Sequence, residues 1–275
     1  MKRVVSILAL VVSPYILGAE KSETTEKVFH TNGAGRLSIG NIFGPITVTA
    51  GGGSEVRVTM VKTMHGDSDS DIALAQREVS VESTQEAGDV KLKVKYPCDC
   101  CHDDDCCGGH HERHYSVRYE FRVQAPPGMA LKLATVNDGD ITVHGAFGDF
   151  DVNNVNGSIE MTDLAGSGQA HTVNGKVTVE FAKNPTGPTS FKSINGELRV
   201  TFQPGLSADV QLKTFNGEAW TDFDTTALPT ASEHWTGHRY ARDQASAIRI
   251  GSGGPAIRFD AFNGNIYILN RGKKS

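Results

Sequence analysis

The sequence predicts an all-β protein built as a solenoid of short strands. Three observations carry that expectation: a twelve-residue phrase written seven times, a period-two apolar pattern within each copy, and motif glycines at near-constant spacing. The clearest copy is FDVNNVNGSIEM, Phe150 to Met161, of the form Φ-x-Φ-x-x-Φ-x-Gly-x-Φ-x-Φ with Φ apolar or small. The same frame fits Leu37–Val48, Gly168–Val179, Thr189–Val200, Val210–Thr221 and Ile257–Ile268. It also fits Leu131–Val143, with one residue inserted ahead of Gly139.

Within a copy, Val155, Gly157, Ile159 and Met161 fall on every second residue, the pleat of a strand with one face inward. Phe150 and Val152 alternate on the other parity. The flip between Val152 and Val155 predicts a bend or bulge that turns both halves toward one core. Phe191/Ile194, Leu212/Phe215 and Phe259/Phe262 repeat it. Asn-Gly is also the strongest two-residue hairpin signal, and an antiparallel meander would use it at each tip. Val173 would then share a face with Lys176 while Val177 sat opposite, mixing apolar and charged residues on both sides. An inward, side-chain-free Gly175 at a kink keeps the apolar set together, so parity favours the coil. Gly139, Gly157, Gly175, Gly196 and Gly217 are 18, 18, 21 and 21 residues apart, a plausible circumference. Asn156, Asn174, Asn195, Asn216 and Asn263 would stack coil on coil, about 4.8 Å apart, as an amide ladder or in a left-handed conformation.

From the start of the chain, Met1-Lys-Arg, an apolar run from Val4 to Leu17 and the pair Gly18-Ala19 read as a secretory signal peptide over residues 1–19. The run falls short of the roughly twenty residues that a membrane span needs. No Cys stands at the cleavage site to take a lipid anchor, and no later stretch is long and apolar. The mature chain is therefore expected to be exported, to the periplasm or cell surface, without a transmembrane span. A net charge of −5 with scattered basic residues excludes the basic stripe of a nucleic-acid binder.

Residues 28–125 form a less regular N-terminal β section. Val56/Val58/Met60, Val79/Val81, Val90/Leu92/Val94 and Val117/Tyr119/Phe121/Val123 predict one-sided strands. Asp67, Asp69 and Asp71 have the spacing that opens a calcium loop, but the glycine and glutamate of an EF-hand are missing, so a solvated turn is expected. A short helix follows over Asp71 to Arg77, capped by Ser70 or Asp71. Ala125-Pro-Pro-Gly-Met opens the main repeats, residues 126–270. Residues 222–247, with His234, Trp235, His238 and Tyr240, break the rhythm as an excursion that caps or flanks the stack. Trp220 lies on the outward parity of its strand.

One insertion carries chemistry of its own. All five cysteines (Cys98, Cys100, Cys101, Cys106 and Cys107) and His102, His110, His111 and His114 lie within seventeen residues, 98–114. The flanking strands make it a projecting hairpin tip. Thiolate and imidazole suit zinc, copper(I) or an iron site, and a tetrahedral zinc needs only four donors. The spacing is not the CxxC pair of a zinc ribbon, and adjacent cysteines do not readily face one ion. Disulfides in an oxidising compartment are the competing reading, although five cysteines leave one unpaired or bridging two chains. A polar tip without a task is the third.

Taken together, LSIGNIFGPITV, APPGMALKLATVNDGDITV, the serial VNG, ING and FNG phrases and the closing FDAFNGNIYILN resemble the adhesin-like family of bacterial exported β-strand-repeat proteins, over residues 30–270. The resemblance implies a right-handed β-helix-like fold and a place at the cell envelope. That family has no established catalytic residues to carry over, and the Cys/His insertion is not part of its pattern. The expected function is non-enzymatic: surfaces presented to a partner, whether protein, glycan or lipid. An alternative makes zinc or copper sequestration or sensing the main task. A remote alternative, a polysaccharide-active enzyme, would need paired carboxylates roughly 5–9.5 Å apart. Asp149 with Asp151, or Glu160 and Asp163, are outward candidates, with no Lys, Arg or His cluster beside them in the frame. No GxSxG elbow is present.

Overall fold

Alternating apolar residues make each half-phrase a one-sided strand that must bury that side against another layer. In the computed structural model, which describes residues 6–9, 19–97, 114–229, 234–236, 239–241 and 246–273, the two halves of each copy enter different sheets. The fold is all-β, with a single helix among the described residues. Two eleven-stranded mixed sheets face each other, and neither closes on itself. From one edge, the first sheet runs Ser6–Ala9, Ala19–His30, Glu55–Gly66, Tyr115–Ala125 and Ile46–Ala50. It continues through Ile141–His144, Ile159–Leu164, Val177–Phe181, Leu198–Phe202, Ile266–Asn270 and Ala219–Thr221. The second runs Ser80–Glu86, Asp89–Lys95, Arg36–Gly40, Ala130–Thr135 and Phe150–Asn154. It continues through Gly168–Asn174, Thr189–Asn195, Ala256–Asn263, Ala208–Asn216, Ser246–Ile250 and Thr225–Leu228.

Successive copies pair in parallel, Val152 with Ala170, Ile141 with Ile159 and Val179 with Val200. The strands on either side of an Asn-Gly lie in different sheets, so that dipeptide is a corner and not a hairpin tip. Rings from both sheets meet in the core, with Phe181 stacked on Phe202 at 5.2 Å and edge-on to Phe191 at 6.3 Å.

The stacking order departs from chain order. Ala256–Asn263 lies between Thr189–Asn195 and Ala208–Asn216, and Ile266–Asn270 lies between Leu198–Phe202 and Ala219–Thr221. The last copy in sequence therefore sits inside the stack, and Val210–Thr221 is left at its end. Burial explains the exchange. Ile257, Phe259, Ile266 and Ile268 are fully buried, whereas Ala219, Trp220 and Thr221 are all exposed. Ser246–Ile250 turns back antiparallel along Ala208–Leu212 and so covers that edge.

The predicted inward bend at the sixth position of the phrase is overturned. Inward alternation runs on through Phe150, Val152 and Asn154, and Val155 stands outside. The fifth position is the buried one because the corner places glycine-turn carbonyls inside, and those need donors. Asn41 and Thr135 donate to Gly44 O at 3.0 and 2.9 Å. Asn154, Thr172 and Ser193 donate to the carbonyls of Gly139, Gly157 and Gly175 at 3.0, 2.8 and 2.9 Å. Each such carbonyl left bare would cost about 1–3 kcal/mol.

Two expectations about the N-terminal section also change. The helix is Asp69–Glu78, two residues longer at its start, with Ser68 as N-cap accepting from Asp71 N at 3.3 Å. Asp69 and Asp71 thus occupy its first turn, where the helix dipole favours carboxylates. The inward alternation of Val56, Val58 and Met60 continues through a charged residue, Lys62. Its buried Nζ donates to the helix-end carbonyls of Ala75, Gln76 and Val79 at 3.1, 3.0 and 2.7 Å. The strands flanking residues 98–113 are not the two arms of one hairpin: Asp89–Lys95 pairs with Ser80–Glu86 and Arg36–Gly40 in the second sheet, and Tyr115–Ala125 belongs to the first.

Candidate binding surface

The corner between the sheets is where the phrase concentrates exposed chemistry. Parallel register brings Asn174, Asn195, Asn263 and Asn216 level with one another. Their amides form a continuous ladder. Asn156, Asn174 and Asn195 donate from Nδ2 to Oδ1 of Asn137, Asn156 and Asn174, each at 2.7 Å. Asn263 donates to Asn195, and Asn216 to Asn263, both at 2.8 Å. The expected amide ladder is thus present, with Asn137 as an additional rung that the inserted residue had hidden. Each amide has two N–H groups and two lone pairs, and the ladder uses one N–H of each donating rung, leaving the second outside the ladder on an exposed side chain.

Beside the ladder runs a ridge of apolar side chains from the sixth position. Val155 is 36% exposed, Ile194 38%, Phe262 49% and Phe215 62%, with Val173 half-buried between the first two, so the ridge is most open and aromatic at its last two copies. The Phe215 and Phe262 rings stack at 4.9 Å with planes 4° apart. Round the corner, on the outer face of the first sheet, the Arg199 guanidinium sits 4.4 Å from the centre of the Tyr267 ring. Trp220 pairs with Tyr267 in register and is 54% exposed, an open contact surface.

The outer face of the second sheet is polar. Register aligns Lys132, Asp151, Gln169, Ser190, Arg258 and Gln211 across it, beside a shallow cleft of about 500 Å³. The next row carries His171, Lys192 and Asp260. Basic groups therefore do accompany Asp151, contrary to expectation, because stacking brings together residues that the linear frame separates. Asp151 accepts from Asn153 Nδ2 at 2.7 Å and Gln169 Nε2 at 2.8 Å, with Lys132 Nζ at 3.7 Å. Burial opposes its ionisation, but these hydrogen bonds and the lysine charge outweigh burial and hold its pKa below the usual carboxylate value. His171 is pushed the other way from a charged imidazole, by burial and then by Lys192. A lowered carboxyl is the opposite of what a general acid needs. Asp149 is exposed and caps Ser167 N at 3.4 Å.

Of the nine candidate metal ligands, only His114 is described. Cys98, Cys100, Cys101, His102, Cys106, Cys107, His110 and His111 lie outside the described residues. The His114 Nδ1 is 3.3 Å from Asp67 Oδ2 at the base of the insertion. Tyr96, at the other end, donates to Val117 O at 2.7 Å and meets Phe43 edge-on at 5.9 Å, tying the two sheets where the insertion leaves and returns. Among the described residues, no three His, Cys, Asp or Glu side chains converge on one point. His234–Thr236 and Arg239–Ala241 form a two-stranded sheet, and His238 lies outside the described residues. Near the start of the chain, Ser6–Ala9 pairs antiparallel with Thr24–Lys27. No helix among the described residues is long and apolar enough to cross a membrane.

No protein-family model matches the chain, and no curated protein matches it. Two crystal structures do. A candidate cell adhesion protein from Clostridium sporogenes is 11% identical with a TM-score of 0.41, covering 91% of this chain and 100% of its own. A candidate adhesin from Bacteroides fragilis is 10% identical with a TM-score of 0.41, covering 93% of this chain and 100% of its own.

Proposed function

We propose that the chain is an exported, non-enzymatic envelope protein, a right-handed β-helix-like solenoid whose corner binds a glycan. The observation that carries this reading is the corner itself: exposed amides repeated rung after rung, each with an N–H outside the ladder, beside an exposed apolar and aromatic ridge. Exposed aromatic surface of this kind marks an interaction site more often than plain solvation. A sugar chain has hydroxyls for the amides and apolar ring faces for the ridge. A lipid tail would strip water from the amides without replacing their hydrogen bonds. A globular protein partner would favour a compact anchor cluster over a row. The N-terminal pattern of Met1 to Ala19 supports export.

The test is glycan-array binding followed by calorimetry on the mature chain and the Phe215→Ala/Phe262→Ala double variant. Both rings are exposed, so the fold should tolerate their loss. Retention of one polysaccharide class, weakened at least about tenfold in the variant, is expected for a loss of roughly 1.4 kcal/mol. Equal binding by the variant, or retention of envelope protein or lipid vesicles but no glycan, overturns the reading.

A second reading concerns residues 98–114 as a zinc or copper site. The Asp67 carboxylate on His114 Nδ1 supports it, since such a partner orients an imidazole and leaves Nε2 for a metal. Elemental mass spectrometry with a free-thiol count decides it. At least one ion per chain, with thiols shielded until chelation, is expected; no metal, with four cysteines paired and one free, refutes it.

A further inference from the structure

Asn-Gly carries an intrinsic chemical liability, because glycine has no side chain to shield its amide nitrogen from the preceding asparagine. That nitrogen can attack the asparagine side-chain carbonyl carbon. An N–Cγ bond forms, the Cγ–Nδ2 bond breaks, and ammonia leaves with the proton that the glycine nitrogen gives up. Water then opens the five-membered imide at either carbonyl, yielding aspartate or isoaspartate. The ladder contains five such pairs, at 156, 174, 195, 263 and 216 in stacking order.

The stack protects all but the last. Gly157 N donates to Asn174 O, Gly175 N to Asn195 O, Gly196 N to Asn263 O and Gly264 N to Asn216 O, each at 3.0 Å. Each bond points to the next copy and engages the nitrogen that would attack. The side-chain amide is held as well, because Oδ1 of each interior rung accepts from the rung beyond it. At Asn216 both restraints end together. Among the described residues Gly217 N has no acceptor, Asn216 Oδ1 has no donor, and residues 215–221 are exposed without interruption. A pair outside the ladder, Asn32-Gly33, is tied locally: Gly33 N donates to Thr31 Oγ1 and Ala34 N to Asn32 Oδ1, both at 3.2 Å.

We infer that Asn216 is a spontaneous deamidation site, opened because no copy stacks beyond it, with water as the only co-reactant. The sequence supplies its own control. Phe215-Asn216-Gly217 and Phe262-Asn263-Gly264 are the same tripeptide in adjacent copies, differing in whether a further copy covers them. The product alters the end of the stack. A carboxylate at 216 cannot donate to Asn263 Oδ1, and isoaspartate adds a backbone atom just before Ala219–Thr221 pairs with Ile266–Ile268.

The experiment ages the intact chain at mildly alkaline pH, natively and in denaturant, and quantifies aspartate plus isoaspartate by peptide mass spectrometry. Natively, Asn216 should convert roughly ten- to thirtyfold faster than Asn263, the effect of two neutral hydrogen bonds that only Asn263 must break. In denaturant the ratio should fall to about one. A native ratio near one, or a ratio that persists in denaturant, overturns the inference.

Discussion

Gly175→Ala tests how closely successive copies approach. The backbone at Gly175 is not in the left-handed region, so alanine suits its own geometry and only the neighbouring copy objects. A Cβ there would lie 2.2 Å from Gly157 O, 2.6 Å from Gly157 C and 2.9 Å from Ser158 N, all backbone atoms with no rotamer to yield. Ordinary C···O contact begins near about 3.3 Å, so the two copies would have to part by roughly 1 Å. Three bonds cross that gap nearby: Gly157 N to Asn174 O at 3.0 Å, Ile159 N to Lys176 O at 2.8 Å and Asn174 Nδ2 to Asn156 Oδ1 at 2.7 Å. Losing them costs about 1 kcal/mol each, and the overpacking adds about 1–3 kcal/mol. A destabilisation of about 4–6 kcal/mol follows, a large share of a total of roughly 5–15 kcal/mol.

Urea denaturation followed by circular dichroism measures this, with m-values compared to confirm a common unfolded state. Gly52→Ala is the control. Nothing lies within 4 Å of its added Cβ and its φ is ordinary, while it shares the unfolded-state entropy gain of replacing glycine. If Gly175→Ala falls within about 0.5 kcal/mol of Gly52→Ala, the spread expected of unconstrained surface changes, the close approach is refuted.

Lys62→Ala should destabilise by about 2–4 kcal/mol by stripping the helix-end carbonyls of Ala75, Gln76 and Val79 of their donor, and Lys62→Met should recover only the packing part. Equal stability of wild type and Lys62→Met, measured in urea, would count against that account. Asp151→Asn should remove an acid-sensitive contribution of under about 1 kcal/mol. Because the folded pKa lies below the ordinary 3.8, that contribution is present above pH 3.8 and lost as pH falls through the folded value. The stability difference between wild type and variant should therefore shrink in acid, and a difference independent of pH refutes it. Replacing residues 98–113 with a flexible linker long enough to cross the roughly 10 Å between packed sheets should leave the metal-free melting midpoint unchanged. A lowered midpoint would make the insertion part of the fold.

Much of this architecture is legible in the phrase alone. Period-two alternation marks the strands; parity points away from a hairpin at Asn-Gly, but on the premise that Val173 lies inward with Val177, and the corner leaves Val173 only half-buried. The recurrence of Asn and Gly at fixed offsets predicts the ladder. These are local signals, since alternation and turn chemistry act over a few residues whatever the chain does elsewhere. Lys62 could have been found the same way, as a charge on the inward parity of Val56, Val58 and Met60.

Other features have no local signature. Alternation shows which residues share a face within a strand, but not how the chain leaves a corner. Val155, Ile194, Phe215 and Phe262 consequently read as core and stand outside, while Asn154, Thr172 and Ser193 are drawn in by neighbouring carbonyls. Seven copies of one phrase are also nearly interchangeable as neighbours, so the phrase cannot dictate stacking order. That choice fell to the whole stack, which buries the more apolar copy Ile257–Ile268 and leaves Val210–Thr221 at the end. The sequence by itself determined the strands, their repeat and the ladder residues, because those follow from bonds and side-chain directions along one stretch of chain. Only the tertiary structure decided which rung is last and which faces are open, because those depend on comparing burial across residues far apart in sequence.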